Sequence, residues 1–133
     1  HASFDTHAGE MAAHPVLWTE ISQAISAFFQ DLKEHNTGEN IVMYLFSEFG
    51  RRVHDNGSGT DHGAAGASFF FGDSIKGGLY GEMPSRKAED LEQGDLVPNR
   101  DFRGDYTTIV EDWLGLDATP IVNGNFEKVA VLK

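Results

Sequence analysis

The chain contains no cysteine, which excludes a disulfide framework, a zinc ribbon and thiol chemistry. Basic residues are scarce, because 10 Lys and Arg stand against 21 Asp and Glu and give a formal net charge of −11. Such a surface repels a nucleic-acid duplex and an anionic membrane, so we predict no nucleic-acid partner. The longest strongly apolar run, Ile41 to Phe46, is far shorter than the roughly 20 residues of a membrane-spanning helix. We therefore predict no membrane insertion.

The apolar content is nevertheless sufficient for a folded domain. The 133 residues are 40% hydrophobic and 23% charged, which is typical of a globular protein and not of a disordered one. The N-terminus reads His-Ala-Ser-Phe-Asp-Thr-His and has neither a Met nor the apolar segment of a signal peptide. We therefore expect residues 1–133 to be part of a larger domain, with part of any active site upstream.

Two consecutive segments have the pattern of a βαβ unit. Helical spacing of apolar residues predicts a helix from Pro15 to about His35, with His14 just before its first residue. The face expected to pack on a sheet comprises Leu17, Ile21, Phe28 and Leu32. The unbroken apolar run 41–46 then predicts an interior parallel strand, because strands covered on both faces lack polar alternation. With a strand end at Ala2–Phe4, the pattern predicts an α/β fold with a mainly parallel sheet.

Weaker patterns follow along the chain. Ala67–Phe71 predicts a short strand inside a glycine-rich loop, which we place between residues 50 and 81. Asp105 is the expected N-cap of a second helix that ends before Gly115. Val129–Leu132 predicts a terminal strand. An incomplete sheet leaves a strand edge exposed, so we expect a partner there, either the remainder of the same protein or another chain.

Polar clusters lie where the predicted strands end, which is where open α/β sheets bind ligands. Asp and neutral His are the natural ligands of zinc, manganese or iron. The metal-ligand candidates are Asp5, His7, Asp61 and His62. His14, Glu48 and Arg51 are accessory candidates, and the guanidinium of Arg51 could hold an oxyanion through two hydrogen bonds.

Simpler interpretations of the same residues stay open. On spacing alone, Asp5 and His7 fit a solvated loop or an Asx turn better than a metal site. Glu48 and Arg51 fit an ordinary surface ion pair, and His14 fits a residue that caps or precedes the helix. The metal site therefore needs support beyond the spacing of these residues.

Six short segments, taken in order, resemble one known family. They read Phe-Asp-Thr-His at 4–7, Ser-Glu-Phe-Gly-Arg at 47–51, Asn-Gly-Ser-Gly-Thr-Asp-His-Gly at 56–63, Lys-Gly-Gly-Leu-Tyr-Gly at 76–81, Asp-Phe-Arg at 101–103 and Glu-Asp-Trp-Leu-Gly at 111–115. Their order and spacing resemble the DUF1501 proteins, bacterial sulfatase-like proteins of the alkaline phosphatase superfamily. The resemblance covers nearly the whole chain.

The resemblance implies a fold, a location and a site. It implies that residues 1–133 are the C-terminal part of a single alkaline phosphatase-like domain, a three-layer α/β/α sandwich, in an exported periplasmic or extracellular protein. It also implies a bimetal site, in which Asp61 and His62 match the paired Asp-His motif and Asp5 and His7 match the earlier ligands. The expected cofactor is a divalent metal, namely zinc, manganese or calcium.

The chain also departs from the superfamily pattern. The Asp5-x-His7 spacing differs from the D-x-x-x-H of the phosphatases, and no His follows His62. The first interpretation is a C-terminal fragment of a metal-dependent phosphatase- or sulfatase-like hydrolase whose substrate is a small anionic ester. The alternative is a non-catalytic exported binding or assembly protein that keeps the fold with a degenerate metal site.

Overall fold

The first long element of the chain is a helix that begins earlier than its sequence pattern predicts. The structure is a computed structural model that describes residues 3–133. Helix α1 spans Glu10–Glu34, so Pro15 lies inside it and His14, expected just before the helix, is a helical residue. An internal proline removes one backbone donor and costs about 3 kcal/mol. Glu10, the first residue of the helix, accepts two hydrogen bonds from Thr60, and these hold the helical turn that precedes the proline.

Helix α1 packs through a narrower face than its sequence predicts. Leu17 is 5% exposed, and Ile21 and Leu32 are half-buried, as expected for the predicted face. Phe28 is 40% exposed, so its prediction as a core residue is wrong. The neighbouring Phe29 takes that position, because its ring lies 6.3 Å from the ring of Phe71.

The strands of the structure are short and pair only in antiparallel fashion within residues 3–133. They are β1 (Met43–Leu45), β2 (Gly50–Asp55), β3 (Thr60–Gly63) and β4 (Phe69–Phe71). Strands β1 and β4 form one two-stranded sheet, and β2 and β3 form another. Strand β4 confirms the short strand predicted within 67–71, whereas the hairpin of β2 and β3 replaces most of the predicted glycine-rich loop.

The prediction of an interior parallel strand over 41–46 is wrong. Met43 faces Phe71 in an antiparallel register, and Phe46 is 56% exposed. The apolar run is explained by aromatic packing instead, because the Tyr44 ring lies 4.7 Å from Phe70 and 5.7 Å from Tyr106. Neither a parallel sheet nor a three-layer sandwich is present in the part of the chain that the structure describes. The fold of residues 3–133 is mixed α/β.

The C-terminal region is helical around a small apolar core. Helix α2 (Arg103–Thr107) continues as a π-helical segment (Thr108–Trp113), and helix α3 (Thr119–Val122) packs beside them. The core contains Val110, Ala118 and Val122, with Tyr106 and Phe126 against it. Asp105 lies inside the helix and not at its N-cap, because the carboxylate of Asp101 accepts the Arg103 N–H at 2.9 Å. Gly115 follows the helical segment with φ of 68°, as expected for its end.

Two predicted terminal strands are not seen as strands. Residues 3–9, which contain Asp5, form no strand, and Ala2 lies outside the described residues. Leu132 forms a single bridge with Ile75 instead of a terminal strand over 129–132. Single-turn 3₁₀ helices lie at Gly38–Asn40 and Ala88–Asp90. None of the described helices is long and apolar enough to cross a membrane.

Candidate metal site

Three of the four predicted metal ligands converge on one side of the β2–β3 hairpin. The Oδ1 atom of Asp5 lies 2.7 Å from Nε2 of His62, although the two residues are 57 positions apart in the chain. His7 Nδ1 lies 3.9 Å from the same Asp5 oxygen. One ligand atom from each of the three residues falls within 4.8 Å of the others. We call Asp5, His7 and His62 the Asp-His cluster.

The cluster is open to solvent, and its central ring is held by stacking. The side chains of Asp5, His7 and His62 are 55%, 51% and 40% exposed. The His62 ring stacks on Phe49, with centroids 3.6 Å apart and planes 8° apart, and more loosely on His7 at 4.7 Å. These stacks restrict rotation of the imidazole and keep Nε2 directed at Asp5.

Asp61 does not belong to the Asp-His cluster. Successive residues of a strand point to opposite faces, so Asp61 and His62 on β3 diverge. The carboxylate of Asp61 accepts a hydrogen bond from Asn56 Nδ2 at 2.9 Å. The same amide nitrogen donates to the His7 carbonyl oxygen at 3.1 Å. Asp61 therefore supports the backbone of His7 through Asn56.

Arg51 holds the N-terminal segment against the hairpin. Its Nη2 donates to the Phe4 carbonyl oxygen at 2.6 Å, and its Nη1 donates to the carbonyl oxygens of Thr6 and Thr60. The side chain is 22% exposed and lies 3.4 Å from Glu10 Oε1. Both terminal nitrogens are thus engaged by the chain itself, which does not match the expected oxyanion contact.

Glu10 completes this polar network. Its two carboxylate oxygens accept the backbone N–H of Thr60 at 3.1 Å and the Thr60 hydroxyl at 2.8 Å. Burial by itself raises the pKa of the Glu10 carboxyl, but the Thr60 hydrogen bonds and the nearby Arg51 outweigh it and hold the pKa below its ordinary value of 4.5. The carboxylate is therefore ionised at neutral pH and balances the guanidinium charge.

The other two accessory candidates lie outside the cluster. His14 Nε2 is 2.8 Å from the hydroxyl of Thr6, so this residue fixes the segment between Asp5 and His7. Glu48 is exposed on the connection between β1 and β2. Sequence patterns missed Phe49, Asn56 and Glu10, although the Asn56-Gly57 pair is a typical hairpin-turn signal.

The donor set of the cluster suits zinc better than calcium. One carboxylate and two imidazoles are the ligands of many zinc sites that keep a fourth position for water. Zinc bonds of about 2.0–2.2 Å at tetrahedral angles set the ligand atoms of one ion about 3.3–3.6 Å apart. The His7–Asp5 separation of 3.9 Å is close to this range, and the 2.7 Å between Asp5 and His62 is a hydrogen bond that a zinc ion would replace. Calcium prefers six to eight oxygen ligands, which two imidazoles do not supply.

Comparisons with known proteins place the chain in a family without assigning its chemistry. No curated protein and no solved structure shows significant similarity to it. Residues 1–124 match the family described as "Protein of unknown function (DUF1501)". Since this match spans most of the 133 residues, the chain belongs to the DUF1501 family.

Proposed function

We propose that the protein is part of an exported metal-dependent hydrolase for phosphate or sulfate esters, with Asp5, His7 and His62 as ligands of one zinc ion. The observation that carries the proposal is the convergence of the Asp-His cluster, whose ligand atoms lie within 4.8 Å of one another. The C-terminal place of the chain in an alkaline phosphatase-like domain, and its export, are parts of this proposal that rest on the resemblance of its segments.

The arrangement supports one ion in preference to two. A two-metal site needs ligands on both sides of a pair of ions about 3.5–4 Å apart, and Asp61 bonds to Asn56 instead of facing the cluster. A bound zinc ion would polarise an ester oxygen or supply hydroxide at neutral pH. The chain contributes the orientation of the ligands, through the stacking of His62 on Phe49, and an open face through which an ester can approach.

Exposed apolar side chains favour a second candidate, a non-catalytic assembly protein. Met11, Leu79 and Met83 are 93%, 102% and 85% exposed, and another protein segment that covers them would bury this apolar surface. Each strand of the β1–β4 sheet has a single partner strand within residues 3–133. In this candidate the other edge pairs with the remainder of the same protein or with another chain, and the metal serves structure only.

Zinc titration of the intact protein tests the metal site. We expect the wild type to bind zinc, and Asp5→Asn, His7→Ala and His62→Ala to weaken binding strongly, because each removes one of three ligands. His35→Ala is the matched control, since His35 is exposed at the end of α1 and its ring contacts Asp31, away from the cluster. Equal zinc binding by the wild type and His62→Ala would contradict the proposed site.

Hydrolysis assays on the same proteins distinguish the two candidates. The hydrolase predicts turnover of an aryl phosphate or aryl sulfate that is lost on zinc removal and in His62→Ala. Stoichiometric zinc without turnover of either ester by the intact protein favours the assembly protein.

A further inference from the structure

We infer that Arg51 is a positioning residue for the metal ligands, an inference that rests on the zinc site proposed above. Its guanidinium donates to the carbonyl oxygens of Phe4 and Thr6, which belong to the peptide groups directly before Asp5 and His7. It also donates to the Thr60 carbonyl oxygen at 3.0 Å, two residues before His62. One side chain therefore holds the peptide groups directly before two of the ligands and a carbonyl group two residues before the third.

The register of the hairpin explains how Arg51 reaches these groups. Arg51 pairs directly with His62 across β2 and β3, and residues opposite each other share a face of the sheet. The N-terminal segment lies over this face, within reach of the guanidinium. Because peptide groups are planar, fixing a carbonyl also fixes the direction in which the next residue leaves the backbone. Fixing the Phe4 and Thr6 carbonyls thus orients Asp5 and His7 toward His62.

The charge of Arg51 is balanced without using the ligands. Glu10 lies 3.4 Å from Nη1, and its side chain is 13% exposed. The carboxylate of Asp5 is consequently left to His62 and His7, whose ring nitrogens lie 2.7 Å and 3.9 Å from it. The pair of Glu10 and Arg51 joins α1, β2 and β3 around the cluster while the Asp5 oxygens stay available to a metal.

Lysine cannot replace the guanidinium in this role. The acceptors of Arg51 are divided between its two terminal nitrogens, with Phe4 on Nη2 and Thr60 on Nη1. The planar fork of Arg presents five N–H donors in fixed directions, whereas Lys presents one nitrogen. The next residue, Arg52, offers a matched control, because its side chain is 42% exposed and its guanidinium contacts Gln93 and Asp95 instead.

The test compares zinc affinity in Arg51→Lys and Arg52→Lys, measured in the intact protein by competition with a chromophoric chelator. We expect Arg51→Lys to weaken zinc binding about 10–100-fold, as is usual when a group that orients metal ligands is lost. Arg52→Lys should bind zinc as the wild type does. Cobalt substitution adds a spectroscopic readout, since the visible bands of bound cobalt should change in Arg51→Lys alone.

The outcomes separate positioning from general stability. If Arg51→Lys lowers the melting temperature but keeps the zinc affinity and the cobalt spectrum, the inference is overturned. If Arg51→Lys does not fold, the double variant Glu10→Gln, Arg51→Gln removes both charges together. It should show the same loss of affinity, and wild-type affinity would again overturn the inference. Wild-type zinc binding in His62→Ala would instead count against the proposed site itself.

Discussion

The N-terminal and C-terminal regions of the molecule are held together by different means. Around the Asp-His cluster, side chains bond to backbone groups across the chain, as Arg51 does to Phe4 and Thr60, and the side chains of Asp5 and His62 stay about half exposed. Around α2 and α3, Ala118 is 1% exposed and Val110 and Val122 are 8% exposed. Apolar burial thus stabilises the C-terminal region. Directed polar contacts hold the N-terminal region together and leave the side chains of the Asp-His cluster exposed to solvent.

The largest stability effect is expected at Thr108 in the C-terminal region. This residue is 1% exposed; its hydroxyl accepts the Val129 N–H at 2.8 Å and donates to the Gly104 carbonyl at 2.9 Å. Thr108→Val keeps the shape but leaves a buried N–H unpaired, which should lower the free energy of unfolding by about 1–3 kcal/mol. Chemical denaturation measures this change, and Thr108→Ser is the control. Zinc affinity should not change in Thr108→Val. If zinc affinity fell together with stability, the two regions would not be held together independently.

A smaller loss of stability is expected at Asn56, and here zinc binding should fall as well. Its amide donates to the His7 carbonyl and to Asp61, and its oxygen accepts the Gly59 N–H at 2.9 Å. Asn56→Ala should cost about 1 kcal/mol of stability and also weaken zinc binding, because the backbone of His7 loses its support. Ser58→Ala is the control, since its hydroxyl makes only longer hydrogen bonds, 3.4 Å to the His7 carbonyl oxygen and 3.2 Å to Asn56 Oδ1. Unchanged zinc affinity in Asn56→Ala would count against this role.

The smallest effect is a pH dependence at Glu10. A carboxylate whose pKa is lowered by folding stabilises the folded state above its ordinary pKa of 4.5, and this stabilisation is lost as the pH falls through the lowered value. The melting temperature of the wild type should therefore exceed that of Glu10→Gln at pH 7, and the difference should shrink below pH 4.5. Glu20→Gln, at an exposed position of the same helix, is the control. If the difference in melting temperature between the wild type and Glu10→Gln were as large at pH 3 as at pH 7, the shape of the Glu10 side chain and not its charge would account for the stabilisation.

The sequence predicts local features of the fold better than contacts between distant segments. The spacing of Leu17 and Ile21 indicates α1, and Gly115 indicates where the second helical segment ends, because both signals are local. The partner of β1 is not local: β4 lies more than 20 residues further on, and nothing in the 41–46 run specifies an antiparallel neighbour.

The geometry of the candidate site also depends on long-range contacts that the sequence does not predict. Residue types and the family resemblance identify Asp5 and His62, but only the register of β3 determines that His62 faces the cluster while Asp61 faces Asn56. The helix start at Glu10 likewise depends on its contacts with Thr60, which is 50 positions away. Long-range polar contacts of this kind leave no periodic pattern in the sequence.

The central claim is that Asp5, His7 and His62 bind one metal ion, and X-ray absorption at the zinc edge of the loaded intact protein tests it most directly. The account predicts a shell of nitrogen and oxygen ligands at about 2.0–2.2 Å that includes two imidazoles. One imidazole should be lost in His62→Ala and one in His7→Ala, with His35→Ala unchanged. A zinc shell without imidazole, or one that both cluster variants leave intact, would contradict the account.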